Sequence, residues 1–205
     1  KVKPLLVKTV QDLAACDALI IPGGESTTIA LLARLSGLLE PLREFVKSGK
    51  PVWGTCAGAI LLSEEVRGTK KGGQETLGGV GIVVERNGWG SQVESFEASL
   101  EVDGLRDPNR PFLGVFIRSP LIVSILPPPL PPAPAIQVLA RLTADHLPIS
   151  DDPNIVNDDD PTDPRDDRTV VALRQGRVLI TTFHPELTKD DRFHEYFIKQ
   201  CILAK

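Results

Sequence analysis

The pentapeptide Gly54-Thr55-Cys56-Ala57-Gly58 is the segment of this sequence best suited to covalent chemistry. It follows an apolar run and precedes a helix-like segment, so its cysteine stands at a tight strand-to-helix turn flanked by glycines. The amino terminus of a helix favours the thiolate form of cysteine, because unpaired N–H groups and the helix dipole stabilise negative charge there. Cys56 is therefore a candidate nucleophile. The alternative is a buried structural cysteine beside a glycine-rich turn.

A thiolate nucleophile needs a base, and the sequence offers three histidines. His146 lies in a segment of low complexity, and His194 lies within a predicted terminal helix. His184 instead ends an apolar strand, and Glu186 two residues later could accept a hydrogen bond and fix the imidazole tautomer. We therefore predict that Cys56, His184 and Glu186 form a catalytic triad. A surface His-Pro-Glu turn is the alternative.

The loop Pro22-Gly23-Gly24-Glu25-Ser26 follows another predicted strand. Its glycines allow backbone N–H groups to converge, which suits an oxyanion hole. A phosphate-binding loop is the weaker alternative, because the sequence has neither a lysine at P-loop spacing nor a G-x-G-x-x-G pattern.

An alternation of strands and helices must position these segments. Strands are predicted over 17–22 and 51–55, and helices over 27–39 and 57–66. This order predicts an α/β domain with an open, mostly parallel sheet flanked by helices, its site at the carboxyl ends of the strands. Further strands are predicted over 80–85, 92–96, 113–117, 135–142, 169–173 and 177–182, and further helices over 41–47 and 190–204.

Composition restricts the class of protein. The 205 residues are 41% hydrophobic and 24% charged with a net charge of −4, which fits one globular domain over residues 1–205. The mild acidity gives no electrostatic reason to bind nucleic acid, and no apolar run is long enough to cross a membrane. Three cysteines are too few for a disulfide framework or a zinc site. Without a leader-like start, we expect a cytoplasmic protein.

Residues 120–168 differ in composition from the rest of the chain. They contain most of the prolines, and residues 151–168 alone carry eight aspartates against two arginines. We interpret this stretch as a solvated, partly disordered insertion that holds one strand over 135–142. A ligand for a proline-binding module and a calcium loop are the alternatives.

Six segments, in this order, resemble one family, the class I (triad) glutamine amidotransferases, and within it the glutaminase subunits of pyridoxal 5′-phosphate synthase. The resemblance covers about 1–119 and 169–205. The segments are Pro22-Gly23-Gly24-Glu25-Ser26-Thr27, Gly54-Thr55-Cys56-Ala57-Gly58, Glu85-Arg86-Asn87, Ser95-Phe96-Glu97, Phe116-Ile117-Arg118 and His184-Pro185-Glu186-Leu187.

The resemblance implies a flavodoxin-like glutaminase domain that releases ammonia from L-glutamine and passes it to a synthase subunit. It assigns the nucleophile to Cys56, the proton shuttle to His184 and the orienting carboxylate to Glu186. Backbone N–H groups of Gly24 and Ala57 would form the oxyanion hole. The resemblance implies that the glutaminase itself needs no metal or cofactor. The positions matching the family's glutamine contacts are Gly24, Glu25, Ser26, Ser91, Ile117 and Arg118.

Two departures from the family pattern lead to further expectations. Ser91 stands where the family has an arginine that binds glutamine, which predicts roughly tenfold to a hundredfold weaker binding. The family pattern also has a further strand ahead of the segment that opens this sequence, and we expect its absence to expose a sheet edge. A synthase-binding regulatory subunit without catalysis is the main alternative function. A cysteine hydrolase acting on γ-glutamyl substrates is a third hypothesis.

Overall fold

The computed structural model describes residues 2–69, 73–86, 88–89, 95–127, 134–143, 146–147 and 166–204. The helices are α1 (Val10–Ala14), α2 (Ser26–Leu35), α3 (Leu39–Lys47), α4 (Ala57–Leu62) and α5 (Arg192–Tyr196), the last continued by a π-helical segment, Phe197–Ile202. The strands are β1 (Leu19–Ile21), β2 (Val52–Thr55), β3 (Ser63–Arg67), β4 (Val80–Glu85), β5 (Ser95–Leu100), β6 (Phe112–Ile117), β7 (Leu121–Ile125), β8 (Ile136–Arg141), β9 (Val170–Gln175) and β10 (Val178–Thr181).

The central sheet has five strands in the order β1-β2-β10-β9-β8. Strands β1, β2 and β10 run parallel to one another, whereas β9 lies antiparallel to both β10 and β8. The predicted open α/β sheet is confirmed, with its parallel part confined to three strands. Strands β9 and β10 form a tight hairpin around Gly176, whose φ is +57°, and a connection this short permits only antiparallel pairing.

Apolar side chains cover both faces of the central sheet. Val52 and Ile180 belong to one hydrophobic core, which is completed by helices α1 to α4 and strand β4. Their neighbours Trp53 and Leu179 belong to a second core, formed with strands β5 and β6 and helix α5. Alternate residues of a strand point to opposite faces, so a continuous apolar run is what a sheet buried on both sides requires.

Helix α4 is shorter than the sequence predicted. The expected helix over 57–66 ends at Leu62, and Ser63 has an extended backbone with ψ of 155°. The Ser63 hydroxyl donates a hydrogen bond to the carbonyl of Ile60, which satisfies one of the carbonyls left unpaired at the helix end. Strand β3 starts there and pairs parallel with β4, which pairs antiparallel with β7. Tertiary pairing has therefore overridden the local helical pattern.

The segment 120–168 is more ordered at its two ends than the sequence predicted. Its strand over 135–142 is confirmed as β8, but β7 also lies inside it and was not anticipated. At the other end, the carboxylate of Asp166 pairs with Arg168, and that of Asp167 accepts the backbone N–H of Ile125 at 2.7 Å. Most of the proline run and the aspartates of 148–165 lie outside the described residues.

Within the part of the chain that the structure describes, no helix has the length and apolar character needed to cross a lipid bilayer.

Candidate active site

Three neighbouring parallel strands end at the candidate site. Register pairs Ile21 of β1 with Gly54 of β2, and Thr55 of β2 with Thr181 of β10. The loops that follow these strands therefore emerge side by side, and they carry the glycine loop, the cysteine and the histidine. The backbone N–H of Cys56 donates to the carbonyl of Thr181 at 2.9 Å, which ties the cysteine turn to the end of β10.

The cysteine turn has a strained backbone. Cys56 has φ of +48° and ψ of −104°, a conformation that L-residues rarely adopt and that costs about 1–3 kcal/mol. Gly58 in the first turn of α4 lies so near β1 that an added Cβ would come within 2.0 Å of the Ile21 carbonyl oxygen. The glycine thus lets the helix pack closely on the sheet while the cysteine stands at the apex of the turn. The predicted strand–turn–helix geometry is confirmed.

His184 is held by hydrogen bonds from two sides. Its Nδ1 lies 2.7 Å from Oε1 of Glu186, and its backbone N–H donates to the carbonyl of Val115 in β6 at 2.9 Å. The imidazole is only 13% exposed, whereas the Glu186 side chain is 47% exposed. Glu186 can therefore fix the ring orientation at the edge of the site while Nε2 remains the nitrogen available for proton transfer.

The charges at the site favour the imidazolium form of His184. A hydrogen bond with the Cys56 side chain is the largest cause, and the Glu186 contact adds to it against the opposing effect of burial. Together these interactions raise the pKa of His184 to about 9. Cys201 shows the contrast, because burial among apolar groups raises the pKa of its thiol to about 11, as is typical of an inert structural cysteine.

Gly23 lies close to both His184 and Cys56, whereas the sequence alone indicated only a general role for it in the loop. A Cβ added there would lie 2.5 Å from Cε1 of His184, 3.0 Å from its Nδ1 and 3.5 Å from the Cβ of Cys56. The backbone of the glycine loop therefore forms one wall of the space that the imidazole occupies. The Gly23-Gly24 pair is the signal in the sequence that could have indicated this role. Its first glycine, however, faces His184, which lies 161 positions later in the sequence.

Glu25 caps helix α2 and lies among positive charges. Its carboxylate accepts from the backbone N–H and the hydroxyl of Thr27, and Arg86 donates to it at 2.8 Å. The hydrogen bond from the Thr27 hydroxyl is the main reason that the pKa of Glu25 is lowered, and the charges of Arg86 and Arg118 lower it further. The structure thus brings Arg118 within electrostatic reach of Glu25. Arg86 belongs to the segment Glu85-Arg86-Asn87, which carries part of the family resemblance, yet the sequence alone indicated no role for it.

The remaining predicted substrate contacts divide into three groups. Ser26 is buried, and its hydroxyl donates to Oε1 of Gln74 at 3.1 Å. Ile117 is exposed at the end of β6, and Arg118 next to it has φ of +43°, so the chain turns sharply at this point. Ser91 lies outside the described residues.

The two residues assigned to the oxyanion hole flank the cysteine. Gly24 has φ of +142°, which a residue with a side chain rarely adopts, and it follows the glycine that contacts Cys56. Ala57 is the first residue of α4, so its backbone N–H has no acceptor within the helix. Both positions are compatible with the predicted role, and that role stays a prediction.

The described residues contain no group of three or more histidine, cysteine, aspartate or glutamate side chains arranged to hold a metal ion. The cysteine and the histidine have the residue types that nucleophilic attack by a thiolate with proton transfer through an imidazole requires.

Comparisons with known proteins agree with this geometry. The model of the SNO glutamine amidotransferase family matches residues 1–160 and 143–203. A probable pyridoxal 5′-phosphate synthase subunit PDX2 of Arabidopsis thaliana is 42% identical over 94% of this chain and 74% of its own length. The pyridoxal 5′-phosphate synthase subunit PdxT of Chloroflexus aggregans is 41% identical over 97% of this chain and 87% of its own length.

A solved structure reported as a glutamine amidotransferase superposes with a TM-score of 0.71 at 41% identity, and the match covers 95% of this chain and 84% of that structure. Both the sequence matches and the superposition extend over nearly the whole chain, and the residues matched by the family model include the cysteine turn and His184. The chain belongs to the SNO glutamine amidotransferase family.

Proposed function

We propose that this protein is the glutaminase subunit of a pyridoxal 5′-phosphate synthase and hydrolyses L-glutamine to L-glutamate and ammonia. The observation that carries the proposal is the convergence of Cys56, His184 and Glu186 at the ends of adjacent strands, with 2.7 Å between the imidazole and the carboxylate. The family membership and the names of the curated relatives support the same reaction.

The proposed reaction begins with attack of the Cys56 thiolate on the side-chain amide carbon of glutamine. The tetrahedral oxyanion that forms accepts hydrogen bonds from the backbone N–H groups of Gly24 and Ala57. His184 transfers its proton to the amide nitrogen, the C–N bond breaks, and ammonia leaves a glutamyl thioester on the cysteine. Glu186 orients the imidazole in this step and stabilises its charge.

Hydrolysis of the thioester completes the cycle. His184, now neutral, accepts a proton from water, and the resulting hydroxide attacks the thioester carbonyl. The C–S bond then breaks, glutamate is released, and the thiolate and imidazolium are restored.

Substrate recognition is assigned to a second group of residues around the glycine loop. Glu25 and Arg118 carry the opposite charges that the ammonium and carboxylate groups of an amino acid require. Ser26, Ile117 and Ser91 complete the proposed contacts. We further propose that the protein acts in the cytoplasm as part of a hetero-oligomer with a synthase subunit, to which its ammonia passes.

The test is release of glutamate from glutamine by the purified chain, measured with and without a synthase subunit of this family. We expect release that depends on the synthase and disappears in Cys56→Ala. The matched control is Cys16→Ala, because Cys16 is a half-buried cysteine outside the proposed site, and its thiol donates a hydrogen bond to the carbonyl of Asp12. A stable complex without glutamate release would instead support the regulatory function, and equal release by Cys56→Ala would refute the triad.

A further inference from the structure

The loop assigned to glutamine binding is held by side chains from both flanks of strand β4. Arg86 directly follows β4 and reaches Oε1 of Glu25 through its Nη2 at 2.8 Å. Gln74 precedes β4 and accepts the hydroxyl hydrogen bond of Ser26. We propose that Arg86 is a positioning residue that fixes the Glu25 carboxylate in the orientation that binds glutamine. This inference rests on the proposed function.

The hydrogen bonds of the Glu25 carboxylate are divided unequally between its oxygens. Oε1 accepts three of them, from the backbone N–H of Thr27 at 3.2 Å, from its hydroxyl at 2.8 Å, and from Arg86. No donor among the described residues hydrogen-bonds to Oε2. The protein contacts thus occupy one oxygen and leave the other for the cationic group of an amino acid substrate.

Of the three hydrogen bonds that Oε1 of Glu25 accepts from the described residues, the one from Arg86 is the long-range contact. Thr27 is two residues from Glu25 and moves with it, whereas Arg86 is 61 residues away and belongs to the end of another sheet. The side chain of Glu25 is 56% exposed, but that of Arg86 is only 20% exposed. A half-exposed carboxylate loses its fixed rotamer readily, and a largely buried guanidinium is well placed to prevent that loss.

The test compares Arg86→Gln with the parent chain in the presence of the synthase subunit. Because the ion pair is partly exposed, we expect KM for glutamine to rise about fivefold, near the upper end for such pairs. The kcat value and its pH dependence should stay unchanged, since Arg86 does not contact the triad. Arg86→Lys should recover part of the loss, because it keeps the charge without the planar guanidinium. Arg67→Gln is the control, because Arg67 lies on the neighbouring strand β3 and forms an exposed ion pair with Glu65 of that same strand, away from Glu25.

A double-mutant cycle separates positioning from a general structural effect. If Arg86 acts through Glu25, then Arg86→Gln should add nothing to the loss caused by Glu25→Gln. The inference is overturned if the two losses multiply, if KM is unchanged in Arg86→Gln, or if kcat falls together with the thermal midpoint.

Binding of glutamine to the Cys56→Ala form, measured by calorimetry with the synthase subunit present, keeps the two proposals apart. We expect the same fivefold weakening by Arg86→Gln in this measurement, which requires no turnover. If glutamine binds but the parent chain does not hydrolyse it, the proposed function alone is refuted. If glutamine binds equally well with and without the Arg86→Gln substitution, the positioning role alone is refuted. A parent chain that neither binds nor hydrolyses glutamine refutes both.

Discussion

Replacing Gly23 with alanine tests whether the glycine loop sets the position of the His184 imidazole. The added Cβ would lie 2.5 Å from Cε1 of His184, whereas carbon atoms in contact are normally about 3.5–4.0 Å apart. The ring must therefore move by about 1 Å or more. Gly23 itself is not among the glycines with positive φ, so alanine can keep the backbone conformation and the effect comes from the clash.

The displacement is large enough to change catalysis strongly. A shift of this size breaks the 2.7 Å hydrogen bond between His184 and Glu186, a charge-assisted contact worth about 1.5–3 kcal/mol. It also misaligns the imidazole and the Cys56 side chain, and a misplacement of about 1 Å can cost on the order of a hundredfold in rate. We therefore expect kcat/KM of Gly23→Ala to fall by about a hundredfold.

The assay is glutamate release in the presence of the synthase subunit, with circular dichroism to verify the fold. Gly81→Ala is the control, because a Cβ at Gly81 would meet its nearest atoms at 3.8 Å, an ordinary contact. The control should retain the activity of the parent. Activity of Gly23→Ala within about threefold of the parent would refute the argument, since the contact would then be too soft to position the ring.

Four further predictions concern the charge of His184, close packing and a buried arginine. Cys56→Ala should lower the pKa of His184 from about 9 toward 6.5, observable by NMR titration of the ring, and an unchanged pKa would contradict the assigned cause. The pKa of His184 is raised in the folded protein, so the stabilisation by its charged form is complete below pH 6.5 and is lost as the pH rises through about 9. The difference in unfolding free energy between the parent and His184→Gln should therefore shrink over that pH range. Gly58→Ala should lower stability by about 3 kcal/mol or more and the thermal midpoint by at least about 6 °C, because the Cβ meets backbone rather than a movable side chain. Arg192→Met should cost about 2 kcal/mol or more in urea unfolding, since the buried guanidinium of Arg192 donates to the backbone carbonyls of Arg110 and Pro111 as well as to Asp190, which keeps its contact with Arg110. A loss below about 1 kcal/mol would show that solvent replaces these hydrogen bonds.

The conformation of the cysteine turn was predictable because its determinants are local. Glycine at positions 54 and 58 on either side of Cys56 indicates a close approach that only glycine permits, and a Cβ added at Gly58 would indeed come within 2.0 Å of the Ile21 carbonyl oxygen. His184 was predictable for a related reason, since it ends an apolar strand and Glu186 lies within reach of its ring. Each inference required only a segment shorter than ten residues and a general rule about strand ends.

The features that the sequence analysis missed depend on contacts between distant segments. Arg86 meets Glu25 because the loop after β4 comes to the loop after β1, and no periodicity in either segment reports that meeting. The end of α4 at Leu62 has the same origin, because Ser63 is drawn into a strand by its pairing with Val80. Helical patterns predict helices well only where the neighbouring sheet does not compete for the same residues.

The causes of the raised His184 pKa imply that this pKa changes during the proposed reaction. In the free enzyme the contact with Cys56 is its largest cause, so the imidazole holds its proton at neutral pH and is ready to donate it to the departing ammonia. Once the sulfur is bound in a thioester, its contact no longer raises the pKa of His184. The pKa then falls toward the ordinary value of about 6.5, at which a neutral imidazole can accept a proton from water. In the proposed cycle Glu186 orients the ring, and one histidine serves as the acid in the first step and as the base in the second.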